Sequence, residues 1–339
     1  MAYLNSVGRM PAEWYPHEAC LVAWPHAEAY WQGDLVAAQV EFAALCRAID
    51  EPLHILVPAA HMRAARAALA GCDATFHEIP TGDIWVRDTG PVYVHTPDGG
   101  RSGQVFQFNG WGGSYLLEHD PDVAARALRS LGHAGQYFPF VLEGGAIEVD
   151  DVGTCLTSRQ CMLNENRNGG WATDDVFRAL STALGIRKLI WVDQGLINDH
   201  TDGHIDTLAR FVGPAHVVCM HPQESDPNRD VLLAIRTALE GQVDAIGRPI
   251  RVTSIGSPGA VYDAEGALMP ASYVNFYIAN HRVVVPQYGS VYDREAIEGL
   301  AALFPDREVV GVSARAILTG GGAFHCITQQ IPKDSPGWR

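Results

Sequence analysis

The sequence predicts a mixed α/β fold with strands and helices interleaved along its length, on three observations. Short β-rich runs recur, each closed by proline, glycine or a polar turn. Between them lie stretches with apolar residues at three- and four-residue spacing, the pattern of helices with one buried face. The chain has 339 residues, 47% hydrophobic and 19% charged, which is enough material for a large buried core.

In chain order, helical spacing over 36–48 is followed by the strand-like LHILVP (53–58), which its proline ends, and by helical spacing over 61–70. DIWVRD (83–88) reads as a strand before a Thr-Gly turn, and 121–131 as a helix. KLIWV (188–192) and HVVCMHP (216–222) read as strands, 229–239 as a helix, RVVVPQYG (282–289) as a strand ended by glycine, and 293–303 as a helix. No low-complexity linker or break in composition marks a boundary, so residues 1–339 are read as a single domain. There is an internal echo: VLEGGAIEV (141–149) resembles ILTGGGAFHC (317–326), and FNGWGG (108–113) offers a third strand-like run into paired glycines. A repeated supersecondary unit explains this; chance recurrence of Gly-Gly turns in a chain with 34 glycines is the alternative. None of these clusters has the GxGxxG spacing of a dinucleotide site or the pattern of a phosphate-binding P-loop.

Lys and Arg number 24 against 39 Asp and Glu, a formal charge of −15 spread along the chain. That excludes nucleic acid and anionic membrane as expected partners, since both need a basic face, and it suits a cationic substrate. The start, MAYLNSVGRMPAEWYPHE, lacks an apolar run behind a basic leader, and no run of about 18 apolar residues occurs, so an unsecreted, cytoplasmic protein is expected. The seven cysteines are odd in number and show no CxxC spacing, which predicts reduced thiols. Most sit in apolar runs, where a buried inert thiol is expected; Cys326 stands apart.

Cys326 follows three glycines and a histidine in TGGGAFHCITQQ (319–330). Glycines let a backbone present a nucleophile from a tight turn. A thiol reacts as thiolate and needs a cationic neighbour, which a guanidinium substrate can itself be. NDHTDGHIDTLARF (198–211) packs His200, Asp202, His204 and Asp206 together. If the stretch from Gly203 is extended, His204 and Asp206 share a face. They then read either as a histidine acid/base with a carboxylate beside it or, with His200 and Asp202, as a metal site. In DIWVRDTGPVYVH (83–95), Asp83, Arg87 and Asp88 lie among apolar residues, as does Glu143 in VLEGG; buried charges of this kind are either internal ion pairs or a site. One cysteine, one histidine and three carboxylates match the needs of guanidinium chemistry: carboxylates grip and orient the delocalised cation, and the histidine moves protons.

In these residues the chain resembles the agmatine deiminase and bacterial peptidyl-arginine deiminase family of the guanidine-modifying (pentein) superfamily. The resemblance runs from MPAEWYPHEACLVAWP (10–25) through DIWVRDTGP, FNGWGG, LEGGAIEVDDVGTCLTSRQCMLNENRN, TDGHID, ASYVNF (271–276) and FPDREVVGV (304–312) to GGGAFHCITQQ. It implies a five-fold pseudosymmetric α/β propeller of ββαβ modules, with Cys326 as nucleophile, His204 as general acid/base, and Asp88 and Asp206 as the carboxylates that hold the guanidinium. Glu143 is implied to pair with the histidine, and Trp85 and Trp111 to line the substrate channel. The implied reaction is hydrolysis of a small guanidino substrate, agmatine to N-carbamoylputrescine, through a covalent amidino thioether, without metal or organic cofactor. Relatives of this kind are commonly homo-oligomers, so a dimer or larger assembly is expected. There are two departures from the family pattern. His200 stands where agmatine deiminases usually carry an acidic residue that receives the distal amine, and Ala323 and Phe324 stand in what is commonly GGGNIHC, so His200 and Phe324 are expected to reshape the substrate pocket. The rival readings are deimination of another guanidino compound, an amidinotransferase, and a metal-dependent hydrolase.

Overall fold

The structure, a computed structural model, describes residues 8–31 and 34–337; the first seven residues, which open the start read above as lacking a leader, lie outside them. Strands β1 (His17–Ala23), β2 (Leu53–Val57) and β3 (Ala74–Glu78) run parallel, side by side. A second sheet pairs β4 (Val92–His95) antiparallel to β5 (Arg101–Gln107), and β5 parallel to β6 (Gly135–Val141). The same pattern recurs in β7 (Ile147–Val149), β8 (Thr154–Ser158) and β9 (Lys188–Val192). It recurs again in β10 (Ala209–Gly213), β11 (His216–His221) and β12 (Arg251–Gly256), and in β13 (Tyr277–Ile278), β14 (Arg282–Gln287) and β15 (Glu308–Ser313). Finally β16 (Gln329–Pro332) returns to pair antiparallel with β1, which gives the first sheet the same order.

Among the described residues one unit is therefore repeated five times: a tight antiparallel pair, a crossover, and a parallel strand. The connections follow from strand geometry, because antiparallel neighbours can be joined by a short turn whereas parallel ones need a long crossover. The crossovers are the helices Leu35–Ile49, Val123–Leu131, Thr173–Leu184, Arg229–Leu239 and Asp293–Ala301, with Met62–Ala68 added between β2 and β3. Each lays an apolar stripe on the strands; in Arg229–Leu239 the buried positions are Leu232, Ile235 and Leu239, at three- and four-residue spacing. The main apolar core draws on residues from Cys20 to Ile327, so the two ends of the chain share one interior. No helix among the described residues is long and apolar enough to cross a membrane.

The α/β class and the five-fold repeat match expectation, and the internal echo has a structural meaning: LEGGAIEV joins β6 to β7 and LTGGGAFHC joins β15 to β16, equivalent places in the repeat. Three local expectations are corrected. DIWVRD is not a strand: it turns at Asp83–Trp85 into the single helical turn Val86–Thr89, closed by Thr89 N–H donating to the Trp85 carbonyl at 3.0 Å. Its charges are buried by finding individual partners in space, which a period-2 pattern cannot express. GHID is not extended either, since Ile205–Thr207 forms one 3₁₀ turn. FNGWGG bends, with Trp111 at φ 51° and Asn109 Oδ1 accepting from Gly112 N at 2.9 Å.

Candidate active site

The five segments that lead from the last strand of one unit into the first strand of the next meet at one place. The β3–β4 segment brings Asp83, Trp85, Arg87 and Asp88; the β6–β7 segment, Glu143 and Gly145; the β9–β10 segment, His200 to Asp206. The β12–β13 segment brings Asn275, and the β15–β16 segment brings Gly320 to Cys326. Cys326 Sγ lies 3.2 Å from Asn275 Nδ2 and 3.4 Å from Asp206 Oδ2. Asp88 Oδ1 accepts from Gly145 N at 2.9 Å and lies 3.7 Å from His204 Nδ1, while its Oδ2 accepts from Trp111 Nε1 at 2.9 Å. The pairing of Asp88 with its neighbour Arg87 does not form. Arg87 points the other way, to Glu13 Oε2 at 3.1 Å and Gln330 Oε1 at 2.7 Å.

Glycine makes this convergence possible. A Cβ on Gly145 would fall 2.5 Å from His204 Nδ1, 2.9 Å from Asp88 Oδ1 and 3.1 Å from Asp206 Oδ2, so only a residue without one fits among the three. A Cβ on Gly322 would fall 3.2 Å from Cys326 Sγ and 2.7 Å from Trp85 Cζ3.

The electrostatics of the site suit a cation. Burial, then the carboxylates of Asp206 and Asp88, pushes the Cys326 thiol well above its ordinary range. Burial and the nearby Asp206 raise Asp88 as well. Burial works against ionised Asp206 too, but the His325 ring, 2.7 Å away at Nδ1, outweighs it and holds Asp206 below its usual value. His204 is fully buried, neither ring nitrogen has a hydrogen-bond partner, and burial pushes its pKa down to about 3. Asp206 Oδ1 also lacks a partner. Unpaired polar atoms at such depth are costly unless a ligand completes them.

Above the thiol opens a cavity of about 220 Å³ whose wall includes Asp83, Trp85, Asp88, Trp111, His200 and Gly320–Gly322. His200 Nδ1 is 3.1 Å from the Tyr115 hydroxyl, and their rings lie together. Phe324 is not part of this wall. It is fully buried in the main core, because the chain turns after Gly322 so that Cys326 faces the cavity and Phe324 faces inward. Ala323 is buried as well.

The expected partner of His204, Glu143, is occupied by Arg167 Nε at 2.7 Å; burial nevertheless leaves the carboxyl raised. Arg167 also holds Asp202 Oδ2 at 2.7 Å. The four-residue metal reading therefore does not assemble: Asp202 is held by Arg167 and His200 by Tyr115. Another group, Glu143, Cys161 and His204, brings one ligand-type atom from each within 4.8 Å. The Arg167 guanidinium on Glu143 already supplies positive charge there.

Several members escaped sequence reasoning. Asn275, in ASYVNF, touches the thiol. Behind Asp206 runs a buried chain: His325 Nε2 meets Glu13 Oε2 at 2.8 Å, and Glu13 Oε1 meets Arg210 Nη2 at 2.9 Å. Arg210 in turn meets Glu148 at 2.8 Å. Burial opposes ionisation of Glu13, but Arg210, His325 and Arg87 outweigh it and hold the carboxyl well below its ordinary range. The available signal was the presence of isolated charged residues in apolar segments; which would meet was not readable.

A five-unit fold that delivers a cysteine, a histidine and two carboxylates to one buried point is that of the guanidine-modifying enzymes, and the chain belongs to the Porphyromonas-type peptidyl-arginine deiminase family, whose model matches residues 9–332. Among solved structures it is similar to the agmatine deiminase of Enterococcus faecalis, with 32% identity, 96% of each chain covered and a TM-score of 0.92. It is likewise similar to the substrate-bound cysteine-to-serine variant of the C. jejuni agmatine deiminase, with 26% identity, 100% of each chain covered and a TM-score of 0.88. A Shewanella baltica protein, provisionally named an agmatine deiminase, is 37% identical over 95% of this chain and 94% of its own.

Proposed function

We propose that the protein hydrolyses agmatine to N-carbamoylputrescine and ammonia, acting as one catalytic domain across the chain. The observation that carries this reading is a buried thiol within hydrogen-bond reach of Asp206 and Asn275, at the foot of a cavity walled by Trp85 and Trp111, with an unpartnered histidine beneath. The family membership and the agmatine deiminases among its relatives support the same reaction.

The geometry supports the following sequence. The guanidinium settles between Asp88 and Asp206, the latter's carboxyl held below its usual value by the His325 ring behind it, and the two tryptophans flank it. Its positive charge lowers the Cys326 pKa in place, and the thiol proton passes to His204, which burial keeps neutral and able to accept it. The thiolate attacks the guanidinium carbon to give a tetrahedral adduct. The C–N bond then breaks, with His204 returning its proton to the departing ammonia, and an amidino thioether remains on Cys326. Water adds to that carbon, losing a proton to His204; the C–S bond then breaks as the new hydroxyl gives up its proton to solvent and becomes the urea carbonyl, and the departing thiolate takes back the His204 proton to restore the thiol. One water is consumed and one ammonia released, with no redox step.

The test is ammonia release by purified protein against agmatine, arginine, guanidinobutyrate, peptidyl arginine and alkylguanidines, with Cys326→Ser as control. Agmatine turnover far above the rest, abolished by Cys326→Ser with binding retained, is expected. Preference for another guanidine replaces the substrate; transfer of the amidino group to an added amine replaces hydrolysis; silence across the panel ends the deiminase reading.

A further inference from the structure

We propose that Asp83 receives the far end of the substrate, so that the pocket selects guanidines that carry a cationic group there. This rests on the deiminase reading and deepens it. Asp83 is 4% exposed yet borders the same cavity as Cys326. Its Oδ2 accepts from Trp85 Nε1 at 2.8 Å, and its Oδ1 is buried with no partner. A carboxylate oxygen so placed costs free energy unless a donor arrives, and the cavity is where one could arrive from. Burial, only partly offset by the Trp85 and Ile84 N–H groups and reinforced by Asp120, pushes the Asp83 carboxyl up to about 7; a cation docking beside it would draw the proton off.

Trp85 relates the two ends of the pocket. Its Nε1 edge is held by Asp83, and its Cζ3 edge lies over Gly322 beside the Cys326 sulfur. An alkyl chain laid along this indole, with its guanidinium at the thiol, runs toward Asp83. Trp85 is itself backed by Trp31, ring centroids 6.2 Å apart and stacked, which fixes the ruler in place. His200, also on the cavity wall, is bonded to Tyr115, and burial lowers its pKa, so it is a poor counter-charge for a distal carboxylate. No lysine or arginine among the described residues borders the cavity. A distal carboxylate, as in guanidinobutyrate or free arginine, would therefore enter beside Asp83 without a cation to meet it.

The experiment compares kcat/KM for agmatine with that for n-pentylguanidine, in which a methyl replaces the terminal ammonium, in wild type and in Asp83→Asn. Asparagine keeps an acceptor for Trp85 Nε1 and removes only the charge. The agmatine-to-pentylguanidine ratio is expected to fall about 100-fold, the scale of losing one partner of a desolvated charge pair. If both substrates fall by the same factor and the ratio stands, Asp83 only props Trp85 and the proposal is wrong. Calorimetric binding of the same two compounds to Cys326→Ser, with and without Asp83→Asn, asks the question without turnover. A ratio of dissociation constants that moves with Asp83 keeps the amine site even if wild type hydrolyses neither compound, an outcome that would sink the deiminase reading alone; a binding ratio indifferent to Asp83 overturns the amine site.

Discussion

Gly145 shows how narrowly the site is specified at the level of single residues. Its backbone N–H supports Asp88, and the space its missing side chain leaves is bordered by His204, Asp88 and Asp206 at once. A methyl group there cannot be absorbed by the free end of a flexible side chain, because all three neighbours are buried. Gly145→Ala is expected to lower kcat/KM for agmatine at least about 100-fold, the order that a displacement of about 1 Å costs a positioned catalytic group. Thermal unfolding of the purified variant should remain cooperative, which separates misplacement from misfolding; activity within a few-fold of wild type would show that His204 is less confined than its surroundings imply.

The junctions between units, more than the units themselves, distribute the chemistry. Each sheet contributes ordinary core, and each connecting segment contributes one or two polar side chains to the centre. What ties these segments together is the buried chain from Asp206 through His325 and Glu13 to Arg210 and Arg87, which binds the segment before β1 to the turn before β16. Glu13 faces Arg87, Arg210, His325 and the Ile278 N–H at once, so Glu13→Gln leaves Arg87 and Arg210 short of negative charge in a dry interior. A loss of about 3–5 kcal/mol is expected from guanidinium chloride unfolding, the usual cost of breaking a buried pair from one side. The exposed pair Arg126–Asp122, at 3.0 Å, gives the contrast: Asp122→Asn should cost less than about 1 kcal/mol. Similar losses in the two variants would mean that the Glu13 network is not what joins the segments.

For the molecule as a whole, the same buried groups set how stability depends on pH. His204 has its folded pKa depressed to about 3 from 6.5, so the stability it contributes is present above 6.5 and is lost as pH falls toward 3. His26 and His54, each lowered to about 4 chiefly by burial, act in the same direction. Asp83 works oppositely: its folded pKa is raised to about 7 from 3.8, so its contribution is full below 3.8 and lost as pH rises to 7. Asp120 and Asp199, each raised to about 6 chiefly by burial, act as Asp83 does, so the dependence on pH is read one group at a time. Asp83→Asn should exceed wild type above pH 7 by roughly 3–4 kcal/mol, or about 5 °C, and match it near pH 4. A variant no more stable than wild type at pH 8 would show that Asp83 carries no such burden. If it is more stable and less selective for agmatine, the distal site is one where function is maintained at a cost in stability.

The sequence alone determined the α/β class, because hydrophobic period is a local property: helix 229–239 and strands 188–192 and 216–221 could be read directly from spacing. It also marked Cys326, His204, Asp206, Asp88 and Glu143 as unusual, since charged or reactive groups among glycines and apolar residues are visible without a structure. It misread DIWVRD and GHID because their shapes follow from partners distant in sequence: Glu13 and Gln330 for Arg87, Trp111 and Gly145 for Asp88. It placed Phe324 at the pocket because proximity in sequence to Cys326 cannot show that the intervening turn sends the two side chains to opposite sides. The roles of Asn275, Glu13 and Asp83 were decided only by tertiary structure. The reason is physical: a buried charge is stabilised by groups brought together across hundreds of residues, and its identity as ion pair, prop or ligand site depends on which of its atoms those groups leave unmet.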